Sequence, residues 1–194
     1  MDINQRIAER VKALRAGRGL SLEALAAASG VSRSNISLIE SGRSSPTAVV
    51  LDRLSAALGV TVASLFEGTR EVAAAPSPLA RVAEQPVWTD PGSGYVRRNV
   101  APAGASPIQL VDVLFPPGQR VAYETAERAE DVHQLVWMIE GRMEVGSGGE
   151  RWTLEPGDCL AMRLDRPTSF FNPGRRTARY LVALVTLPPA RKTR

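Results

Sequence analysis

The 194-residue chain has few of the side chains that most often carry chemistry or cross-links: one cysteine, one histidine and 5% aromatic residues. A single cysteine, Cys159, excludes an internal disulfide and is typical of a reducing compartment. We expect Cys159 to be a small buried hydrophobic residue. The sequence also lacks any window of roughly 18 to 20 uncharged apolar residues, and it begins with Asp2 and alternating charges rather than a signal peptide. We therefore expect a cytoplasmic protein that does not contact a membrane.

Basic residues exceed acidic residues, 24 to 20, and the formal net charge is +4. Nine of the basic residues and six of the acidic residues precede residue 71, so the excess lies mainly in the first third of the chain. This balance permits a polyanionic partner without requiring one. The chain also ends on basic residues, and we expect residues 189–194 to form a solvated basic tail.

Apolar residues recur at helical spacing from residue 4 to about residue 66. Ile7, Val11 and Leu14 occupy positions i, i+4 and i+7 of the first such stretch. Glycines follow the stretches, and serines or threonines precede them, as helix caps do. Thr47 and Thr61 are suitable caps for a fourth helix and a short fifth helix. The pattern predicts five short helices in about 65 residues.

The strongest local signal is the segment SLEALAAASGVSRSNISLIESG, which starts at Ser21. It predicts a helix that ends at Gly30, a short turn, and another helix that begins at Ser32. This spacing is typical of a helix-turn-helix, which places its second helix in the DNA major groove. Arginine pairs with guanine, asparagine with adenine and serine with either base. We expect the base contacts to come from the outer face of the second helix, through Arg33, Ser34, Asn35 and Ser37.

Residues 4–67 resemble the lambda-repressor-like, or Xre, family of DNA-binding domains, through the motifs S-L-x-x-L-A, G-V-S and I-E-x-G. The resemblance implies an all-α domain of five helices that binds a double-stranded DNA operator as a homodimer. The family often has a phosphate-contacting glutamine at the position of Leu22. Contacts to the DNA phosphate backbone are therefore expected to depend more on Arg18 and Arg43 here. The resemblance implies phosphate contacts by Arg18, Ser21, Ser32, Arg43 and Ser44. An all-helical interaction bundle is the alternative.

The rest of the chain alternates β-prone runs with turns. Residues 68–92 are rich in Ala, Pro, Gly and Ser and indicate a linker and a lead-in segment. Strands at intervals near ten residues favour a sandwich or a barrel. The predicted domains are residues 1–67, the linker 68–92, a β-domain 93–188 and the tail 189–194. The strands are predicted at residues 108–115, 134–139, 142–145, 151–154, 159–164 and 179–187.

The run VWMIEGRMEV, followed by LEPGD and FFNPG, resembles the cupin family of jelly-roll (double-stranded β-helix) barrels. Together with the first domain, this implies an α+β protein of two domains, an arrangement known among bacterial transcriptional regulators. In the family, three histidines and one glutamate bind a metal at fixed spacing. The matching positions here include Glu124, Gln134 and Thr168, so we expect neither a metal nor another cofactor. His133 is one residue from the ligand position and is expected on the opposite face of its strand.

Without a metal, the expected barrel is a binding site for a small-molecule effector. Its walls are mostly apolar, with a few polar groups that orient the ligand. We predict a sequence-specific transcriptional regulator that is not an enzyme and that dimerises through an outer sheet face. The alternatives are a metal-dependent cupin enzyme fused to a DNA-binding module, and an antitoxin-like scaffold whose β-domain binds a protein. The expected pocket residues are Gln134, Val136, Met138, Arg163, Thr168 and Phe170.

Overall fold

The computed structural model describes residues 2–66, 77–104, 106–124 and 131–187. Within these ranges the chain forms four α-helices and then ten β-strands. The predicted basic tail and residues 68–76 of the predicted linker lie outside the described residues. No helix in the described ranges has the length and apolar character needed to cross a membrane. The helices are α1 (Ile3–Gly17), α2 (Leu22–Ser29), α3 (Arg33–Glu40) and α4 (Ala48–Ala57).

Hydroxyl caps begin three of the helices where the sequence predicts them. The side chains of Ser21, Ser32 and Thr47 accept backbone N–H groups of α2, α3 and α4 at 3.0, 3.3 and 3.4 Å. The expected fifth helix is a 3₁₀ segment, Ala63–Phe66, rather than an α-helix. Thr61 still caps it, but the backbone N–H groups of Ser64 and Leu65 donate to the third preceding residue, the geometry that short helical turns prefer.

All strand pairs are antiparallel and form two sheets. One sheet has the order β1-β2-β3-β10-β5-β8, and the other has the order β4-β9-β6-β7. The sequence predicts six of the strands and misses the four that are only three or four residues long. The strands are β1 (Val87–Thr89), β2 (Val96–Asn99), β3 (Ile108–Phe115), β4 (Arg120–Tyr123), β5 (Asp131–Glu140), β6 (Met143–Ser147), β7 (Glu150–Leu154), β8 (Cys159–Arg163), β9 (Thr168–Phe171) and β10 (Ala178–Leu187).

The inner faces of the two sheets share one core. Burial alternates along β5 and β10, as expected for strands with one face inward. The rings of Phe170 on β9 and Tyr180 on β10 stack across the sheets with centroids 6.1 Å apart. His133 lies on the outer face, where its side chain is 43% exposed and Nε2 is 3.3 Å from Asp131 Oδ1. Cys159 is exposed on the edge strand β8, so the expectation that it is buried is wrong.

The helical domain and the β-domain are joined by a buried carboxylate. Asp90, in the turn between β1 and β2, is 3% exposed. Its Oδ1 accepts the backbone N–H of Ala48, the first residue of α4, at 2.9 Å. Its Oδ2 accepts the N–H and the hydroxyl of Ser93 at 2.9 and 2.6 Å. A carboxylate at a helix N-terminus is stabilised both by these donors and by the helix dipole.

Aromatic rings continue the contact between the two domains. Phe66, at the end of the 3₁₀ segment, contacts Trp88 of β1 at 5.6 Å between ring centroids. Trp88 in turn contacts Tyr95 at 5.7 Å. The amide of Asn99 on β2 donates to the carbonyl of Ala63 at 3.1 Å. The helical domain is therefore packed against the β-domain through one continuous apolar core.

We expect Asp90→Ala to lower the free energy of unfolding by about 2 to 4 kcal/mol, because the buried N–H of Ala48 and the half-buried N–H of Ser93 lose a charged acceptor. Urea unfolding of the full chain measures the change. Asp158→Ala is the matched control, since Asp158 also accepts a backbone N–H, from Glu155 at 2.9 Å, but in an exposed turn. Equal losses in both variants would contradict a special role for Asp90.

Candidate nucleic-acid interface and cavity

A glycine cap and two side-chain hydrogen bonds stabilise the turn between α2 and α3. Gly30 ends α2 in the left-handed conformation with φ +65°, which favours glycine. The Ser29 hydroxyl donates to Leu25 O at 2.7 Å and accepts the N–H of Val31 at 3.3 Å. Val31 is buried, and Ser32 then caps α3. The geometry is that of a helix-turn-helix, with α3 as its second helix.

Packing and one ion pair position α3. Ile36 and Ile39 are buried in the core of the helical domain. At the end of α3, Glu40 accepts two hydrogen bonds from Arg15 of α1, Nε to Oε1 at 2.7 Å and Nη2 to Oε2 at 2.8 Å. This contact raises the pKa of the Arg15 guanidinium. Because the two side chains are only 16% and 8% exposed, the pair ties the C-terminus of α3 to α1.

The predicted base-contacting residues lie on the outer part of α3. Arg33, Ser34 and Ser37 are exposed, and Asn35 is half-buried. The Arg33 guanidinium pairs with the Glu23 carboxylate, which shows that the first turns of α2 and α3 are neighbours. A backbone hydrogen bond at the start of α2, and then Arg33, lower the pKa of Glu23.

The same face carries an apolar residue that sequence reasoning missed. Leu38 is an apolar residue of the amphipathic helix α3, yet its side chain is 45% exposed beside Ser37. The i, i+4 spacing from Ser34 is the signal that could have found it. An exposed aliphatic side chain beside serines is suited to contact a thymine methyl group.

The predicted phosphate-contacting residues lie around the ends of these helices. Ser21 and Ser32 use their oxygens as helix caps, so each hydroxyl hydrogen stays available for a further acceptor. Arg43 is exposed just after α3, with its N–H on Leu38 O at 3.0 Å, and Ser44 is half-buried. Arg18 is exposed after α1, and its Nη2 lies 3.5 Å from Gly59 O.

A cavity of about 100 Å³ lies between the two sheets, on the side of the helical domain. Of the predicted pocket residues, Gln134, Thr168 and Phe170 line it. Val136 and Met138 are fully buried in the core instead. Arg163 points outward from β8, where Nη2 lies 2.8 Å from Asp131 Oδ1.

Sequence reasoning missed most of the polar lining. Arg97 and Tyr95 come from β2 and the residue before it, Tyr123 from β4 and Tyr180 from β10. Burial raises the pKa of each of the three tyrosines, so their hydroxyls stay protonated donors. Alternation in YVRRNV places Tyr95 and Arg97 on one face, but only the tertiary structure turns that face inward. The helical domain closes the cavity with Asp52, Thr61, Val62 and Ala63.

The side chains at the cupin metal positions do not fit a divalent metal. The Gln134 amide donates to the Met162 sulfur at 3.6 Å, and Thr168 offers only a hydroxyl. Glu124 is exposed and pairs with Arg53 of α4 at 3.0 Å rather than joining them. Among the residues that the structure describes, no three His, Cys, Asp or Glu side chains converge on a possible metal position.

Comparison with known proteins identifies the helical domain. Residues 11–65 match the family model described as helix-turn-helix. The chain is 38% identical over 63 residues to the HTH-type transcriptional regulator DdrOP3 of Deinococcus deserti, a match that covers 32% of this chain and 49% of that protein. It is 37% identical over 71 residues to the uncharacterized HTH-type transcriptional regulator y4dJ of Sinorhizobium fredii, covering 37% of this chain and 92% of that protein.

The whole chain is also similar in fold to a solved structure. It superposes on an HTH_3 family transcriptional regulator from Vibrio cholerae with a TM-score of 0.75, at 22% identity, over 96% of this chain and 97% of that one. This likeness extends the comparison from the helical domain to the arrangement of both domains. By its sequence, the chain belongs to the helix-turn-helix family of transcriptional regulators.

Proposed function

We propose that the protein is a sequence-specific, DNA-binding transcriptional regulator whose β-domain senses a small metabolite without a metal. The observation that carries the DNA-binding role is the exposed row of Arg33, Ser34 and Ser37 on α3, held by the rigid turn and by the Arg15–Glu40 pair. The domain that holds this row spans residues 1–67, and the protein acts in the cytoplasm.

In the DNA-free protein, Arg33 is paired with Glu23 on this surface. Both side chains are mostly exposed, so the pair contributes little to stability and opens readily. On an operator, Arg33 turns from the Glu23 carboxylate to the O6 and N7 acceptors of a guanine. Asn35, Ser34, Ser37 and Leu38 read neighbouring bases. Ser21, Ser32, Arg18, Arg43 and Ser44 hold the flanking phosphates and set the register.

The β-domain, residues 93–188, is a cupin on this proposal. The strand orders β3-β10-β5-β8 and β4-β9-β6-β7 support an eight-stranded jelly roll, to which β1 and β2 add an edge. The polar side chains in the cavity suit a small organic ligand, since the groups at the metal-ligand positions are an amide and a hydroxyl. We therefore assign the domain a binding role and no catalytic one.

The outer face of the six-stranded sheet supports a homodimer. Leu135 and Trp137 on β5 are both about half exposed, and Leu135 is flanked in register by Ala183 of β10 and Ala161 of β8. Cys159, also exposed, pairs with Trp137. A contiguous exposed apolar face of this kind marks a protein interface. Two helix-turn-helix domains held by such a contact read a two-fold symmetric operator.

Arg33→Ala is expected to weaken binding to the specific operator by roughly 1 to 3 kcal/mol and binding to random DNA much less, because only the operator offers the matching guanine. Genomic binding-site mapping identifies the operator, and fluorescence anisotropy at fixed salt measures both affinities. Arg142→Ala is the control, because Arg142 is an exposed arginine of the β-domain that pairs with Glu155. This variant should leave the affinities for the operator and for random DNA unchanged. An equal loss on all DNA would make Arg33 a phosphate contact instead.

Leu135→Lys is expected to convert the dimer to a monomer, because a charge would be buried at the centre of the apolar face. Sedimentation of the full chain measures the mass. Leu79→Lys changes an equally exposed leucine that precedes β1, and it should leave the dimer intact. A wild-type monomer, or a dimer that persists in Leu135→Lys, would refute this interface.

Purified protein is expected to contain far less than one equivalent of iron, manganese or zinc, and chelation should change neither its unfolding temperature nor its DNA affinity. Elemental analysis and thermal unfolding with and without EDTA measure these properties. The physical reason is the replacement of imidazole and carboxylate ligands by Gln134 and Thr168. Stoichiometric metal that EDTA removes with a loss of stability would favour a cupin enzyme.

A further inference from the structure

Arg97 presents a buried and incompletely paired guanidinium to the cavity. It is only 9% exposed, and its Nε has no hydrogen-bond partner among the residues that the structure describes. None of the ion pairs among the described residues involves it. Its neighbours are the Phe66 ring, 4.9 Å below the guanidinium carbon, and the hydroxyl of Tyr95. Burying a cation without an opposite charge is costly, so the site is electrostatically suited to an anion.

The cavity walls define what kind of anion fits. One water-sized group needs roughly 10 to 15 Å³ of cavity volume. A cavity of about 100 Å³ therefore holds on the order of seven to ten non-hydrogen atoms. Most of the wall is hydrocarbon, which disfavours a highly polar ligand such as phosphate. The apolar lining is Val111, Val113, Phe115, Phe170, Val182 and Leu184.

A second negative charge on the ligand is disfavoured as well. Arg166 also lines the cavity, but it pairs with Asp165 at 2.8 Å, so Arg97 is the lining cation that has no counter-charge among the described residues. The second charge of a dianion would lie against walls that are mostly hydrocarbon. A single carboxylate can instead lie at Arg97 and the tyrosine hydroxyls, with its hydrocarbon part against the remaining walls.

We propose that the effector is a small monocarboxylate with a short hydrocarbon part, anchored by Arg97 and enclosed between the β-domain and the helical domain. The inference deepens the proposed sensor role and rests on it. The carboxylate accepts the free Nε–H of Arg97 and a hydroxyl hydrogen of Tyr95 or Tyr123, which lie 3.3 Å apart, oxygen to oxygen. It thereby supplies the counter-charge that the described residues do not give Arg97.

The same ligand would couple the cavity to the DNA-binding domain. Thr61, Val62 and Ala63 form part of the wall, and the Phe66 ring lies under Arg97. These residues continue directly from α4, whose first turn is held by Asp90. A ligand that contacts both domains stabilises this one arrangement of α4 against the β-domain, and it shifts operator affinity by its differential affinity for that arrangement.

The test uses the full-length protein with straight-chain monocarboxylates of two to eight carbons and with the matching primary amides, at constant ionic strength. Isothermal titration and thermal unfolding measure binding. At least one carboxylate in this series should bind and raise the Tm, and its amide should bind at least tenfold more weakly. Arg97→Met should weaken binding of the carboxylate by roughly 10- to 100-fold, which corresponds to the loss of a hydrogen bond between charged groups. Arg163→Met, which removes an outward-facing arginine, should bind normally.

Arg97→Lys keeps a folded variant available if Arg97→Met does not fold, because it retains the charge. It loses the planar fork, and we expect about tenfold weaker binding. The proposal is overturned if no carboxylate in the series binds, if the amides bind as tightly as the acids, or if both Arg97 variants bind like wild type.

Two further measurements separate this inference from the proposed function. Ligand should slow backbone hydrogen exchange in Ala48–Ala57 and Ala63–Phe66 more than in α2; exchange slowed only in the β-strands would overturn the coupling. Operator affinity without ligand should be equal in wild type and Arg97→Lys. If both bind the operator and no carboxylate binds, only the present inference fails. If neither binds any genomic DNA, the proposed function itself fails.

Discussion

The arrangement of the two domains depends on the carboxylate of Asp90 at the N-terminus of α4. A helix of ten residues begins with N–H groups that have no partner inside the helix, and a buried helix start needs an acceptor. Asp90 supplies that acceptor from the turn between β1 and β2, 42 residues further along the chain. The ring contact between Phe66 and Trp88 holds the following 3₁₀ segment against the same strands. Together they bring the helical domain against the space between the sheets.

This placement gives α4 and the segment after it two roles. Within the helical domain, α4 packs on α2, and so supports the turn that presents α3. On its other side, Asp52 and residues 61–63 form a wall of the cavity. α4 and this segment thus lie between the cavity and α2. Short, well-packed connections of this kind transmit small shifts because close-packed cores deform little.

The interior of the β-domain carries an amide and a hydroxyl at the positions that match the metal ligands of cupins. Gln134 and Thr168 take positions at which imidazole and carboxylate would hold a metal, and Glu124 pairs with α4 instead. Other polar groups of the cavity come from different strands, namely Arg97 on β2 and the tyrosines near β2, β4 and β10. A motif search at the metal positions alone finds Gln134 and Thr168, and it misses these other side chains that line the cavity.

The sequence by itself determined the features that depend on near neighbours. Caps at Ser21, Ser32 and Thr47, the helix-turn-helix spacing and the alternation in β5 are local patterns, because helices and strands are selected by residues a few positions apart. Only the tertiary structure decided that β10 lies between β3 and β5, that Arg97 faces inward, that Arg163 faces outward, and that α4 closes the cavity. These outcomes depend on contacts between residues 40 to 80 positions apart, such as Ala48 with Asp90 and Phe115 with Ala178. Alternation tells which residues share a face of a strand, but it does not tell which face another domain will cover.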